Sequence, residues 1–171
     1  NNAHGYLIGP TGFSIYDISN PILPVLVGQE ATFLSYSAGS RVWLSSDESF
    51  AFCASSINVN VYDIRDPTQP TLVSTYVMAS ATWNATYSAR SDRLYVPSLE
   101  WNEQSNNDLV VRVVDTSNPY QLEDLGELRF GNIGATRSLN SSFLSPDDTL
   151  LYISQRVTNN GVATGYVDVV D

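Results

Sequence analysis

The chain has 171 residues, of which 43% are hydrophobic, and it carries eighteen acidic side chains, eight arginines and no lysine, for a formal net charge of −10. This charge disfavours nucleic acids and anionic membrane surfaces as partners, because both would be repelled. The hydrophobic share is that of a globular protein, and no apolar run approaches the ~18 residues that a membrane-spanning helix needs. We therefore expect a folded chain without a transmembrane segment.

The first half of the chain contains two copies of one pattern. A strand carrying Tyr6 (GYLI) precedes the segment GFSIYDISNP, which contains Asp17, and the segment INVNVYDIRDP contains Asp63 in the same place. Apolar residues stand two and four positions before each of these aspartates, with a polar residue between them. Such alternation predicts a β-strand with one buried face. Each copy continues into a further strand, PVLVG in the first and TLVSTY in the second.

The second half repeats the pattern at longer intervals. LVVRVVDTSNP contains Asp115 and GYVDVVD ends at Asp171, so that successive aspartates are 46, 52 and 56 residues apart. The segments LSSDESFAF, YSARSDRLY and LSPDDTLLY also align without gaps, and each predicts a polar turn that leads into an aromatic-bearing strand. After Asn118-Pro119, the run YQLEDLGEL would suit a short helix, but its alignment with PVLVG favours a strand.

A turn motif follows the repeated aspartates. Asn20-Pro21, Asp66-Pro67 and Asn118-Pro119 fall at one offset from them. Asn or Asp before proline caps its own backbone, and proline fixes φ, so the motif predicts a tight turn. We expect the aspartates to accept hydrogen bonds from turn amides and to be structural rather than catalytic. These anchor aspartates are Asp17, Asp63, Asp115 and Asp171.

Four short antiparallel strands in each unit are typical of a β-propeller blade. The chain is predicted to be one all-β propeller segment of about three and a half blades, with units at about residues 1–30 (partial), 31–78, 79–130 and 131–171 (partial). The prediction places fourteen strands in groups of three, four, four and three. Because this is half of what a ring of seven four-stranded blades needs, we expect the segment to belong to a larger ring or to assemble with copies of itself.

The runs V-V-D-x-S-N-P and Y-D-I-x-D/N-P-x-x-P resemble the LVIVD-type repeats of secreted and surface-anchored bacterial and archaeal β-propellers. The resemblance covers essentially the whole chain. The sequence departs from the usual Leu-Val start, having Phe13-Ser14, Val59-Asn60 and Val111-Arg112, and Leu122 replaces the second proline of the third copy. The resemblance implies an extracellular or cell-surface protein with a scaffolding or binding role and no common chemistry.

Two connections are longer than their counterparts, namely Pro97–Asp108 and Gln155–Thr164. Insertions at one position of neighbouring repeats project from one face, which is often the binding face. In the first connection, Glu100, Trp101, Asn102 and Glu103 are candidates for contact with a protein or glycan, although Trp101 is somewhat better suited to covering its own blade. Together with Asp108, these acids are also a calcium candidate, but their spacing fits no established calcium loop. We expect no other cofactor.

Catalytic groups are scarce in the sequence. The single histidine, His4, lies near the first residue, there is no His/Cys cluster or glycine-rich phosphate loop, and Cys53 stands in an apolar run. Two N-glycosylation sequons begin at Asn84 and Asn140, each near the start of a predicted inner strand. We therefore expect a non-enzymatic extracellular binding or scaffold module whose partner is a protein, a glycan or another copy of the chain. The alternative is the propeller portion of a secreted hydrolytic enzyme, such as a carbohydrate-active one, with its catalytic residues outside this segment.

Overall fold

The computed structural model describes residues 3–31, 40–55, 57–78, 85–101, 107–131, 136–159 and 161–171. Blade 1 consists of β1 (His4–Gly9), β2 (Gly12–Asp17) and β3 (Val25–Glu30). Blade 2 consists of β4 (Arg41–Leu44), β5 (Phe50–Ser55), β6 (Asn58–Asp63) and β7 (Thr71–Val77). Blade 3 consists of β8 (Thr86–Ser88), β9 (Arg93–Trp101), β10 (Asn107–Asp115) and β11 (Glu123–Phe130). Blade 4 consists of β12 (Thr136–Leu144), β13 (Leu151–Asn159) and β14 (Val162–Val170).

Each blade is a separate antiparallel sheet whose strands pair in chain order. The predicted all-β fold is therefore confirmed, with strands in groups of three, four, four and three and no helix among the described residues. The segment after Asn118-Pro119 is a turn followed by strand β11, as the repeat alignment predicts, and the helical alternative is wrong.

The hydrophobic cores lie between neighbouring blades. Ile8, Phe13 and Ile15 of blade 1 pack with Cys53 and Tyr62 of blade 2. Successive residues of a strand point to opposite faces, so β5 sends Phe52 and Ala54 into a second core, shared with blade 3. A third core joins blades 3 and 4 and contains Leu109, Val111, Leu139, Leu151 and Ile153. The blades therefore stack face to face in the order of the chain.

The prediction that the repeated strands bury only one face is wrong for the first two blades. Ser14 and Asn60, which stand between the apolar residues of β2 and β6, are only 4% and 2% exposed. A strand in the middle of a blade has a neighbouring blade or strand on every side, so polar as well as apolar positions are enclosed. Asn60 satisfies its buried amide by accepting a hydrogen bond from the Thr75 hydroxyl at 2.8 Å.

A β-bulge recurs at one position of the repeat. The strand that ends at the anchor aspartate pairs with the next strand of the blade, and the register of this pairing shifts once. The shift lies between Ile15 and Tyr16 in blade 1, between Val61 and Tyr62 in blade 2, and between Val113 and Val114 in blade 3. In all three blades, the shift begins two residues before the anchor aspartate. Bulges bend a strand and increase its twist, so each blade receives the same local distortion.

The anchor aspartates cap the turns that follow β2, β6 and β10. The Oδ1 atoms of Asp17, Asp63 and Asp115 accept hydrogen bonds from the amides two residues later, at 2.8, 3.1 and 2.8 Å. Asn20, Asp66 and Asn118 accept equivalent bonds at 3.2, 2.9 and 3.2 Å. Two consecutive side-chain caps therefore fix each turn. Asp171 lies directly after β14 and is exposed.

The anchors should make the fold sensitive to acid. The amides of Ser19 and Ser117 hold the pKa of Asp17 and of Asp115 below the usual value of 3.8, and the Arg65 side chain does the same for Asp63. A carboxyl with a lowered folded-state pKa stabilises the fold above its unfolded pKa, and this stability is lost as the pH falls through the folded pKa. Stability should thus be flat above about pH 5 and decline below about pH 4.

Urea midpoints measured between pH 2.5 and 7 test this expectation. Asp115→Asn keeps an acceptor in the turn but removes the titrating charge, so its acid decline should be shallower than that of the parent. A decline centred near pH 6 would contradict the assignment of acid sensitivity to these carboxyls.

Candidate functional site

The hairpins of blades 3 and 4 are longer than those of blades 1 and 2. The turn of blade 2 closes at the pair Ser55–Asn58, whereas β9 and β10 continue past the equivalent pair, Ser98–Val110, to Trp101–Asn107. In blade 4, β13 and β14 continue to Asn159–Val162. At about 3.3 Å per residue, three or four additional pairs raise these hairpins by roughly 10 Å. We call residues 99–101, 107–109, 156–159 and 162–165 the ridge.

The predicted long loops are thus mostly strands. Of the connection Pro97–Asp108, residues 97–101 belong to β9 and residues 107–108 to β10, and Gln155–Thr164 falls almost wholly in β13 and β14. The prediction that both insertions project at one end of neighbouring blades agrees with this geometry, because both are second-to-third strand connections. Leu109 is fully buried, with Leu99 packed beside it, so the ridge is continuous with the core between blades 3 and 4.

Glu100, in the middle of the blade 3 part of the ridge, belongs to an ion-pair cluster. Its two carboxylate oxygens accept hydrogen bonds from Nη2 of Arg112 at 3.0 Å and Nη2 of Arg129 at 2.9 Å. Arg112 also pairs with Glu127 at 2.8 Å, and Arg129 pairs with Asp108 at 3.6 Å. The register explains the grouping, because Glu100 lies opposite Asp108 and Arg112 lies opposite Glu127 on one face of the sheet. Burial raises the pKa of Glu100, but the two arginines outweigh burial and hold it below its usual value.

The sequence predicts Glu100 as a partner contact, whereas the structure shows it bonded within its own blade. Its neighbours Arg112, Glu127 and Arg129 are not evident from the sequence. The available signal was Arg112 itself, which stands at the repeat position held by Ser14 and Asn60. A charged residue at an enclosed position requires charged partners, but only the strand register shows which residues they are.

We expect Glu100→Gln to lower the free energy of unfolding by about 1–3 kcal/mol, because it removes one of the two carboxylates that Arg112 and Arg129 share, the other being that of Glu127. Arg112 is largely buried and would be the more affected of the two. Chemical denaturation measures the change, with Glu123→Gln as the control, since Glu123 is exposed at the start of β11. Equal stability of the two variants would show that the cluster does not support the ridge.

The other candidates from the sequence have different positions. Trp101 is the last residue of β9, while Asn102, Glu103 and the sequon residue Asn84 lie outside the described residues. Asn140 is exposed on β12, at the irregular pairing with β13.

Asp108 and Glu100 contact arginines, and the described part of the chain contains no group of three or more His, Cys, Asp or Glu side chains placed to hold a metal ion. No described helix is long and apolar enough to span a membrane.

Solved structures share this fold at low sequence identity. Hydrazine synthase from Kuenenia stuttgartiensis matches with a TM-score of 0.72 at 13% identity, over 99% of this chain and 48% of that chain. The periplasmic gluconolactonase of Pseudomonas aeruginosa matches with 0.59 at 15%, over 96% and 52% of the two chains. A functionally unknown protein from Desulfotomaculum acetoxidans matches with 0.57 at 17%, over 92% and 53%. The chain spans about half the length of these structures.

The stacked antiparallel blades and these matches define the class of protein, a segment of a β-propeller. Residues 8–32 and 39–78, which include all of blade 2, match the model of the LVIVD repeat. The first two blades of this β-propeller segment therefore carry LVIVD-type repeats. No curated protein matches the chain.

Proposed function

We propose that the chain is part of an extracellular, non-enzymatic binding module and that its ridge contacts a protein or glycan. The height of the ridge carries the proposal. Two adjacent blades extend at the same end by about 10 Å, which the packing of the blades does not require, since blades 1 and 2 pack with short hairpins.

The side chains of the ridge fit this role. Arg156 and Val162 are exposed on the ridge, and Tyr166 is exposed directly below it. Aromatic residues and arginine are enriched at binding interfaces, where they supply contact area and directed hydrogen bonds. In blade 3, the ion pairs of Glu100 connect the ridge strand β9 to β10 and β11, and such cross-strand contacts favour a preorganised surface, which lowers the entropy cost of binding.

Binding is tested with a double variant of the ridge, Arg156→Glu with Tyr166→Ser. The parent chain, coupled to a sensor surface, is screened against a panel of neutral and charged polysaccharides and against cell-surface proteins. We expect the double variant to weaken the binding of the retained ligand by about tenfold or more. The control is Arg90→Glu, an exposed arginine in the turn between β8 and β9 at the opposite end of the blade, and its affinity should equal that of the parent.

Two results would contradict the proposal. Unchanged affinity of the ridge variant would place the binding surface elsewhere on the blades. Release of a product from a retained polysaccharide by the full-length protein would favour the alternative, in which the propeller belongs to a secreted hydrolytic enzyme.

A further inference from the structure

A pocket of about 230 Å³ lies between blades 2 and 3, at the end of the blades opposite the ridge. Its rim belongs to the turn between β4 and β5, the turn between β8 and β9, and the turn after β10. The aromatic rings of Phe50, Phe52 and Tyr87 line it. We call it the polar pocket, and it has room for a small organic group as well as for several water molecules.

Blade 3 places polar side chains in this pocket at repeat positions that blade 2 fills with apolar ones. Tyr87 stands at the position of Leu44, and Thr116 stands at the position of Ile64. Leu44 and Ile64 pack in the core between blades 1 and 2. Blades of this repeat can therefore stack without a phenol or a threonine hydroxyl at these two positions.

The next pair of blades gives a second comparison. The corresponding pocket between blades 3 and 4 has a volume of about 130 Å³. Leu144 lines it at the position of Tyr87, and Thr149 lines it at the position of Asp92. The carboxylate of Asp92 is thus a feature of the polar pocket and not of the repeat.

The hydroxyl of Thr116 is buried without a partner. Thr116 is only 3% exposed, and its Oγ1 atom makes no hydrogen bond with any described residue. Most buried polar groups in proteins are paired, because an unpaired one has lost its hydrogen bonds to water. An unpaired hydroxyl in the wall of an open pocket indicates that a bound molecule supplies the missing partner.

Two carboxylates are oriented in the same pocket. Asp92 accepts a hydrogen bond from the Tyr87 hydroxyl at 3.0 Å. Asp47 accepts one from the Ser45 hydroxyl at 2.6 Å and another from the Ser49 amide at 3.1 Å. Burial raises the pKa of Tyr87, and the carboxylates of Asp92 and Asp47 raise it further, so both charges lie near its hydroxyl.

No described arginine neutralises these two carboxylates, because neither Asp47 nor Asp92 forms an ion pair within the described part of the chain. Arg65 lies over the Phe50 ring at 5.8 Å, but it pairs with Asp63. Negative charge beside aromatic rings attracts an organic cation, through Coulomb attraction and through cation–π contact. The net charge of −10 also raises the concentration of cations near the surface.

We propose that the polar pocket binds a primary alkylammonium group, which either a lysine side chain of a partner protein or a free amine can supply. The three N–H donors of this group match three acceptors, the carboxylates of Asp47 and Asp92 and the hydroxyl of Thr116. The carbon chain of the amine packs on the aromatic rings of the pocket. Because the pocket and the ridge lie at opposite ends of the blades, this inference does not depend on the ligand of the ridge.

The test is a titration of the full-length protein with n-butylammonium, followed by saturation-transfer difference NMR. This probe reproduces the end of a lysine side chain. Tetramethylammonium is the matched control, because it has the same charge and no N–H donor. We expect n-butylammonium to bind at least about tenfold more tightly than tetramethylammonium, since hydrogen bonds to charged groups are strong.

Two variants locate the site. Thr116→Val removes the hydroxyl and keeps the shape, and Asp92→Asn removes the charge and keeps an acceptor for Tyr87. We expect each variant to weaken n-butylammonium binding by about tenfold. Thr71→Val, exposed at the start of β7, should leave it unchanged. The urea midpoint of Thr116→Val should equal that of the parent, because the lost hydroxyl makes no hydrogen bond and Ile64 occupies the equivalent position in blade 2.

Three outcomes overturn the proposal. Equal affinity for the two cations would show that N–H donors are not recognised. Undiminished binding by both Thr116→Val and Asp92→Asn would place the cation elsewhere. Tighter binding of glucose than of n-butylammonium would show that the pocket takes a neutral polyol. A lysine-containing peptide distinguishes the two sources, because its binding supports a partner protein, whereas binding of n-butylammonium alone supports a free amine.

Discussion

Phe52→Ala is expected to lower the free energy of unfolding by about 3–5 kcal/mol, the usual cost of removing a buried phenylalanine ring. Phe52 is 1% exposed and lies at the centre of the core between blades 2 and 3. Its ring stacks on Tyr87 at 5.1 Å, so the substitution removes both buried area and a contact that joins two blades. The strands on either side cannot close the cavity, because their registers are fixed by hydrogen bonds.

Urea denaturation of the parent and the variant measures this loss, with Phe130→Ala as the control. Phe130 is partly exposed at the end of β11, and its removal should cost well under half as much. Hydrogen exchange adds a spatial readout. The amides of β5 and β9 should lose protection before those of β13, because the damaged junction joins blades 2 and 3. Similar losses in the two alanine variants would mean that the interblade cores do not determine stability.

Gly28→Ala is expected to lower the free energy of unfolding by about 2–3 kcal/mol or more. A Cβ atom at Gly28 would lie 2.2 Å from the Pro67 carbonyl oxygen and 2.9 Å from Cδ of Pro70. Both atoms belong to the turn of blade 2 that rests on β3, and a backbone carbonyl held in a capped turn cannot move aside cheaply. The blades would have to separate at this junction.

The control for this substitution is Gly9→Ala, because nothing lies within 4 Å of a Cβ placed at Gly9. Thermal melts should show a clear drop for Gly28→Ala and a change of no more than about 2 °C for Gly9→Ala. At the junction between blades 2 and 3, the position equivalent to Gly28 is Ser74. Its side chain is accommodated there because its hydroxyl donates a hydrogen bond to the Pro119 carbonyl. If Gly28→Ala melts with the parent, the close approach of the turn to β3 is not maintained in solution.

The repeat allowed much of the fold to be predicted from the sequence. Asp17, Asp63 and Asp115 with the proline turns after them located the third and fourth strands, and the polar turns before Phe50 and Leu151 located the second strands. These signals are local, because an alternating pattern or an Asx-Pro pair acts within a few residues. The number of strands in each blade followed from the number of strand patterns between successive turn motifs in the sequence.

The environment of each strand was not predictable in the same way. Ser14 and Asn60 are polar, and the alternating pattern placed them in solvent, yet neighbouring strands and blades enclose them. Pro97 and the polar residues after it suggested a loop, but β9 continues through Pro97 and pairs with β10 as far as Trp101. Among the described residues, β8 pairs with β9 only between Arg93 and Tyr95, so Pro97 lies beyond that pairing, at a place where a strand tolerates proline. The partners of Glu100 depended on the same long-range register.

The bulge two residues before each anchor has a consequence for how such a chain can change. Because each bulge bends the blade that contains it, the twist of blades 1, 2 and 3 is determined separately within each blade. A gene rearrangement that joined the codon of one anchor aspartate to that of another would remove or add a whole blade and leave each strand with its distortion intact. Such a rearrangement would therefore keep the bulge, because the bulge lies between the strand that ends at an anchor aspartate and the strand after it.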